Sequence, residues 1–297
     1  MKLSAILACV SALALGSYGQ KSDSAVLASM SAGEREVIQS APSQERLERR
    51  HLVLYLEKGT LPAHEAQAFA DEQEKIFEAV SQTFHCNFDA QQSGLSKAEY
   101  YPTERAGISH LSKGRIFLKT TRVLAVPSIS VHETTHLVLS APNSRAAELS
   151  SEQEKRMVAQ SGIWLFEGLA NYTACVLAPK LGLPNKYLFI RGDNTTIDQE
   201  AKEWIADKRG ASVLPYVGPH GIPENLVSDR ANVAQPFYLL SQSFVKYMVE
   251  QVGMDAAAAL YTEQDKNRGV IETEFLRITG KELSDVRTRW LQHLGKS

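Results

Sequence analysis

The sequence predicts an α+β fold, on three observations. Strand-like runs are confined to the first part of the chain, at 51–57 and 114–119. Helix-period apolar patterns fill most of the remainder. An apolar helical segment carrying two histidines follows the second strand directly. At 297 residues the chain is long enough for one sizeable core or for two subdomains sharing a cleft. With 43% hydrophobic and 22% charged residues it reads as globular. A net charge of −2 without a long basic run gives no electrostatic support for nucleic-acid binding.

The N-terminus opens Met1-Lys2, followed by an apolar run from Leu3 to about Leu15. That run is too short to span a bilayer. Small residues at Ala14/Gly16 or Ser17/Gly19 suit signal peptidase, so residues 1–19 read as a cleaved signal peptide and the protein as secreted or periplasmic. The apolar stretch before Cys9 is too short to favour a lipoprotein. Residues 20–50 form a polar N-terminal segment in which Ser31-Ala32-Gly33-Glu34 is a candidate capping box. Arg49-Arg50 reads as an ordinary charged helix end rather than a processing site.

From residue 51 to 297 the chain reads as one domain, with an α/β part over 51–125 and a mainly helical part over 126–297. His51 to Glu57 is β-like and closes at Gly59 and Pro62. From Pro62 to Phe84 a helix is expected, with Ala66, Phe69, Ala70, Ile76, Phe77, Val80 and Phe84 on its buried face. Residues 87–114 are turn-rich, and Gly114 to Lys119 is a strand. A helix then starts at Ser128 or Ser130, either of which can cap it. Residues 141–160 read as a solvated connecting helix inserted before the next apolar segment. Residues 180–235 form a Gly/Pro/Asn-rich region containing His220, long enough to suggest a functional loop. Helices follow over Pro236–Gly253, Asp255–Thr262, Ile271–Thr279 (closed by Gly280), and from Leu283 through Val286 and Trp290 to Leu294. No internal repeat or low-complexity segment is present.

The chemistry concentrates in Val131-His132-Glu133-Thr134-Thr135-His136-Leu137. Histidines four residues apart lie on one helix face, so both imidazoles reach a single ion. Glu133 is placed to reach a metal-bound water. A catalytic zinc takes three protein ligands and leaves one position open. Glu167, in Trp164-Leu165-Phe166-Glu167-Gly168-Leu169-Ala170-Asn171-Tyr172, supplies the third ligand from a second helix. The expected metal set is therefore His132, His136 and Glu167, holding Zn2+. The apolar flanks bury this polar set, and buried polar groups need partners. Gly168 is a poor helix former, so its place is explained by close helix–helix approach. Asn171 is a candidate support for a ligand; its Asn-Tyr-Thr sequon lies on a buried helix, and Asn194 is the better surface acceptor.

These residues resemble the gluzincin zinc metallopeptidases, specifically the peptidase-MA-like group and the catalytic domain of aminopeptidase N-type enzymes. The resemblance covers roughly residues 115–295 and rests on the two zinc motifs. Tyr238 through Met248 and Gln251-Val252-Gly253 are similar to the family's C-terminal helical region. The resemblance implies a small mixed sheet with helices followed by a mostly helical lobe, with zinc between them. It implies Glu133 as general base and Tyr238 as the oxyanion donor. His220 and His110 are rival donors that the sequence itself offers, each otherwise an ordinary loop histidine. Two departures point from aminopeptidase towards endopeptidase. Phe166 stands where aminopeptidases carry Asn, and no Gly-x-Met-Glu-Asn segment precedes the metal helix.

The expected function is a secreted zinc metallopeptidase acting on a peptide or protein substrate. Two alternatives stand beside it: a non-catalytic binding or scaffold protein on the same fold, and a zinc hydrolase of a non-peptide bond. Cys86 and Cys175 form a possible intramolecular disulfide or remain two thiols.

Overall fold

The computed structural model describes residues 32–86, 95–105, 109–111, 114–139, 162–184, 195–218, 230–267 and 271–295. The expected signal peptide, the 141–160 connecting helix, Asn194 and His220 lie outside the described residues. The chain divides into two compact units. The first comprises residues 1–147 and 177–184, the second residues 148–176 and 185–297. The described secondary structure is α+β. No described helix is long and apolar enough to cross a membrane.

The first unit opens with helix α1 (Ala32–Ser40), where the Ser31–Glu34 capping signal placed a helix start. Strands β1 (Glu45–Glu48) and β2 (Leu52–Leu56) follow, then helix α2 (Ala63–Phe84). Next come β3 (Ala98–Pro102), β4 (Ser109–Leu111), β5 (Arg115–Leu118) and helices α3 (Thr120–Ala125) and α4 (Ser128–Leu139). The strands form one mixed sheet in the order β1-β2-β3-β5-β4. β2, β3 and β5 run parallel, and the outer strands β1 and β4 pair antiparallel. Arg49-Arg50 is the turn from β1 to β2, closed by the Arg49 amide on the Leu52 carbonyl at 2.9 Å; it is not a helix end.

Alternation along the strands sorts the sheet into two faces. On one, Tyr55, Tyr101 and Phe117 stack with centroids 5.1 and 5.2 Å apart. Val37 and Ala41 cover Tyr101 and Phe117. On the other, Leu54, Tyr100 and Ile116 are in register and fully buried. The whole apolar face expected for α2 is buried.

Two strands fall within the segment read as turn-rich. β3 escaped notice because Ala98, Glu99 and Pro102 are poor strand residues, and its pairing with β2 and β5 is non-local. β4 has three residues, too few for a periodic signal.

The second unit contains most of helix α5 (Ile163–Lys180), then α6 (Ile197–Ala206), α7 (Lys208–Val213), α8 (Arg230–Val252), α9 (Met254–Asn267), α10 (Ile271–Thr279) and α11 (Leu283–His293). Its core joins Trp164, Phe244 and Trp290, with successive ring centroids 4.9 and 5.1 Å apart. The Trp290 indole N–H donates to Ser243 Oγ at 3.1 Å. Helices α6 and α7 replace part of the loop expected over 180–235. α6 carries a full capping box, Thr196 on the Gln199 amide and Gln199 back on the Thr196 amide. Helix α8 begins before Pro236 rather than at it. Proline costs an interior helix its amide bond to the preceding turn, and burial of Pro236 with its neighbours Phe237 and Leu239 offsets that loss.

Among the described residues no disulfide forms. Cys86 and Cys175 remain half-buried thiols, so the cystine alternative is corrected. A disulfide requires Cα atoms ~4.4–6.8 Å apart with converging Cβ vectors. Cys86 instead closes the turn after α2, its amide on the Ser81 carbonyl at 3.0 Å. Burial raises the Cys86 thiol's pKa, which disfavours the thiolate.

Asp198 ties three helices of the second unit. It accepts from Ser243 Oγ at 3.1 Å and Lys246 Nζ at 2.8 Å, and His293 Nε2 lies 3.3 Å away. Burial works to raise its pKa, but these partners outweigh burial and hold the carboxyl below its usual range. A carboxyl depressed in the folded state contributes stability that is complete above its unfolded pKa, about 3.9, and is lost as pH falls through the depressed value. Denaturant unfolding across the acid range should therefore show Asp198→Asn with a flatter loss of stability below pH 4 than the parent, from a lower starting value.

Candidate metal centre

Helix α4 is the apolar helix that the histidine motif called for, beginning at Ser128 as expected. Ser128 through Leu137 are all buried, and so is Leu139. The helix packs against α2, α3, β4 and β5. Burial on every side removes the solvated-helix reading of the motif. A solvated helix would turn its histidines and glutamate to water, whereas His132 is 7%, Glu133 7% and His136 2% exposed.

The two histidines meet at their Nε2 atoms, 3.1 Å apart. Their rings stand edge to face at 79°. Zinc–imidazole bonds are ~2.0–2.1 Å, so a tetrahedral ion separates two ligating nitrogens by about 3.3 Å. The pair is thus already spaced for shared ligation through Nε2. Glu133 Oε1 lies 3.9 Å from His132 Nε2, on the same side of the helix as that nitrogen.

The sheet orients α4 through a bond the sequence did not foretell. Tyr100 on β3 reaches Thr134 Oγ1 at 3.0 Å, with both groups fully buried. Burial pushes the Tyr100 phenol above its ordinary pKa, so the hydroxyl stays protonated. Thr134 sits between Glu133 and Thr135, so this bond sets the rotation of the helix where the motif lies. Thr135 turns its hydroxyl back to the Val131 carbonyl at 2.8 Å and needs no other partner. The missed signal was Tyr100-Tyr101 itself, an aromatic pair hidden in a segment read as turns.

In the second unit, Glu167 is 8% exposed on α5, flanked by Trp164, Leu165, Phe166 and Leu169, all buried. Phe166 packs edge-on against Tyr261 with centroids 4.6 Å apart. Gly168 allows the close approach expected of it. A Cβ there would stand 2.7 Å from the Ser241 carbonyl oxygen and 2.7 Å from Val245 Cγ2, so α5 and α8 touch backbone to backbone beside Glu167. The Asn171 carbonyl accepts from Gln242 Nε2 at 3.4 Å, a second tie to α8.

His132, His136 and Glu167 are each buried, and two imidazoles with a carboxylate are a donor set compatible with a metal ion. Tyr238 lies half-buried about two turns into α8, beside Phe237. Of the rival donors, His110 occupies the middle of β4, opposite Ile116.

Gly168→Ala should destabilise the protein by about 1–3 kcal/mol, the usual cost of overpacking, read as a lower urea midpoint. Tyr100→Phe should cost about 1 kcal/mol, the net worth of a typical hydrogen bond, read in the same way.

No protein-family model matches this chain, and no curated protein matches it.

Proposed function

We propose that the protein is an exported zinc metallopeptidase of the gluzincin type, most simply an endopeptidase, in which His132, His136 and Glu167 hold the ion. The observation that carries this reading is the pair of buried imidazole nitrogens 3.1 Å apart on α4 with Glu133 beside them. Two facts support it further. Glu167 is a carboxylate kept from water on an otherwise apolar helix. Buried carboxylates are found paired or coordinating a metal. Two nitrogens and an oxygen suit zinc, which favours such mixed sets.

The ion, when bound, supplies Lewis-acid chemistry, activating water and polarising a carbonyl. Glu133 accepts the proton of the attacking water and returns it to the leaving amine. Tyr238 donates a hydrogen bond to the developing oxyanion, a role typically worth ~3–4 kcal/mol of barrier. Burial of His132, Glu133 and His136 keeps them from bulk water, which strengthens their electrostatic interactions.

Glu133→Gln should keep the zinc and abolish turnover, whereas His132→Ala and His136→Ala should each lose both. Digestion of an unbiased peptide mixture, read by mass spectrometry beside metal analysis, tests this. Internal cuts by the parent and none by Glu133→Gln support the peptidase. Turnover retained in Glu133→Gln removes Glu133 from the mechanism, and full zinc in either histidine variant removes the ligand assignment. Full zinc with no peptide cut by any form favours a non-peptide substrate or a binding role.

A further inference from the structure

We propose a second divalent-metal site in the first unit, formed by His51, Glu74 and Glu78 and suited to a cation that prefers imidazole with carboxylate, such as Zn2+. It is independent of the zinc site argued above. His51 stands at the head of β2; Glu74 and Glu78 are one turn apart on α2 and so share a face of that helix. One ligand atom from each of the three residues lies within 4.8 Å of the others.

Glu74 Oε1 is 2.6 Å from His51 Nδ1, and Glu78 Oε1 is 3.7 Å from the same nitrogen. A ring nitrogen carries at most one proton, so Nδ1 can donate to one of the two carboxylates and not to both. Glu78 has no other hydrogen bond or ion pair among the described residues. An ion satisfies all three at once. Bonds of ~2.0–2.2 Å to imidazole nitrogen and carboxylate oxygen place ligand atoms roughly 3.3–3.5 Å apart. The observed 2.6 and 3.7 Å bracket that spacing, so small side-chain rotations suffice.

The site is built rather than assembled by chance from mobile surface groups. The His51 amide donates to both oxygens of Glu74, at 3.0 and 3.3 Å, fixing that carboxylate. The His51 ring stacks on Phe77 at 5.6 Å and 14°, fixing the imidazole plane. The Glu74 side chain is 13% exposed, while His51 at 32% and Glu78 at 40% leave an open side for water to complete the coordination. Bound there, an ion would clamp β2 to α2.

Zn2+ titration of the chelator-stripped full-length protein tests this, with bound metal counted after equilibrium dialysis. The parent should bind two equivalents. Glu78→Gln should keep one and weaken the other at least tenfold, because its half-exposed carboxylate supports no other contact and its loss leaves the fold intact. His51→Asn should do the same. The ring resonances of His51 should shift on Zn2+ addition in the parent and not in Glu78→Gln. A parent that binds no Zn2+ with these three residues, shown by identical titrations of parent, Glu78→Gln and His51→Asn and by unmoved His51 resonances, overturns the proposal and leaves a simple ion pair. Because neither variant touches His132, His136 or Glu167, loss of the other equivalent instead would count against the zinc reading and not this one.

Discussion

Burial of α4 on every side is the constraint from which the rest of the first unit follows. A helix with only apolar residues can be buried in any rotation, since dispersion and the hydrophobic effect are non-directional. α4 carries Ser130, His132, Glu133, Thr134, Thr135 and His136 inside. Each polar side chain must be satisfied or the cost is several kcal/mol, on the order of 2–7 for an unpaired group. That requirement removes the rotational freedom. Tyr100 meets Thr134, Thr135 bonds its own preceding turn, and the histidines turn their Nε2 atoms to one another. The parallel strands β2, β3 and β5 serve this arrangement by presenting Tyr100 from the middle of a fully paired sheet.

The second unit solves a similar problem with small residues and large rings. α5 is buried over Ile163 to Ala170, so it cannot lean on a polar face for orientation. Gly168 lets it approach α8 until backbones touch, and Trp164, Phe244 and Trp290 fill the space beside that contact. Close backbone contact is directional in a way that apolar side-chain packing is not, because neither partner can rotate away. The position of Glu167, the neighbour of Gly168, is thereby held more tightly than helix propensity alone would hold it.

Charged groups are used differently at the surface. Pairs such as Arg46–Glu48 and Arg209–Asp207 are exposed, and pairs of that kind are worth ~0–1 kcal/mol each. The half-buried Asp198 acts instead as a hub that gathers partners from two other helices, and Glu74 holds both the amide and the ring of His51. The difference is solvent: a shared carboxylate withdrawn from water holds its donors in fixed directions.

Local pattern determined much of this protein. The helices over 63–84, 128–139 and 271–279, the strands at 52–56 and 115–118, the buried stripe of α2 and the pairing of His132 with His136 all follow from periodicity, caps and the four-residue rise of a helix. The Thr196–Gln199 capping box was equally legible and marks a helix in a region whose glycine and proline content suggested loop. Tertiary structure alone decided the rest. β3 and β4 exist because distant strands supply their hydrogen bonds. Tyr100 meets Thr134, and His51 meets Glu74 and Glu78, across sequence separations that carry no periodic signal. Cys86 and Cys175 remain thiols, an outcome the sequence left open because a disulfide depends on distance and Cβ direction, which only the folded chain specifies.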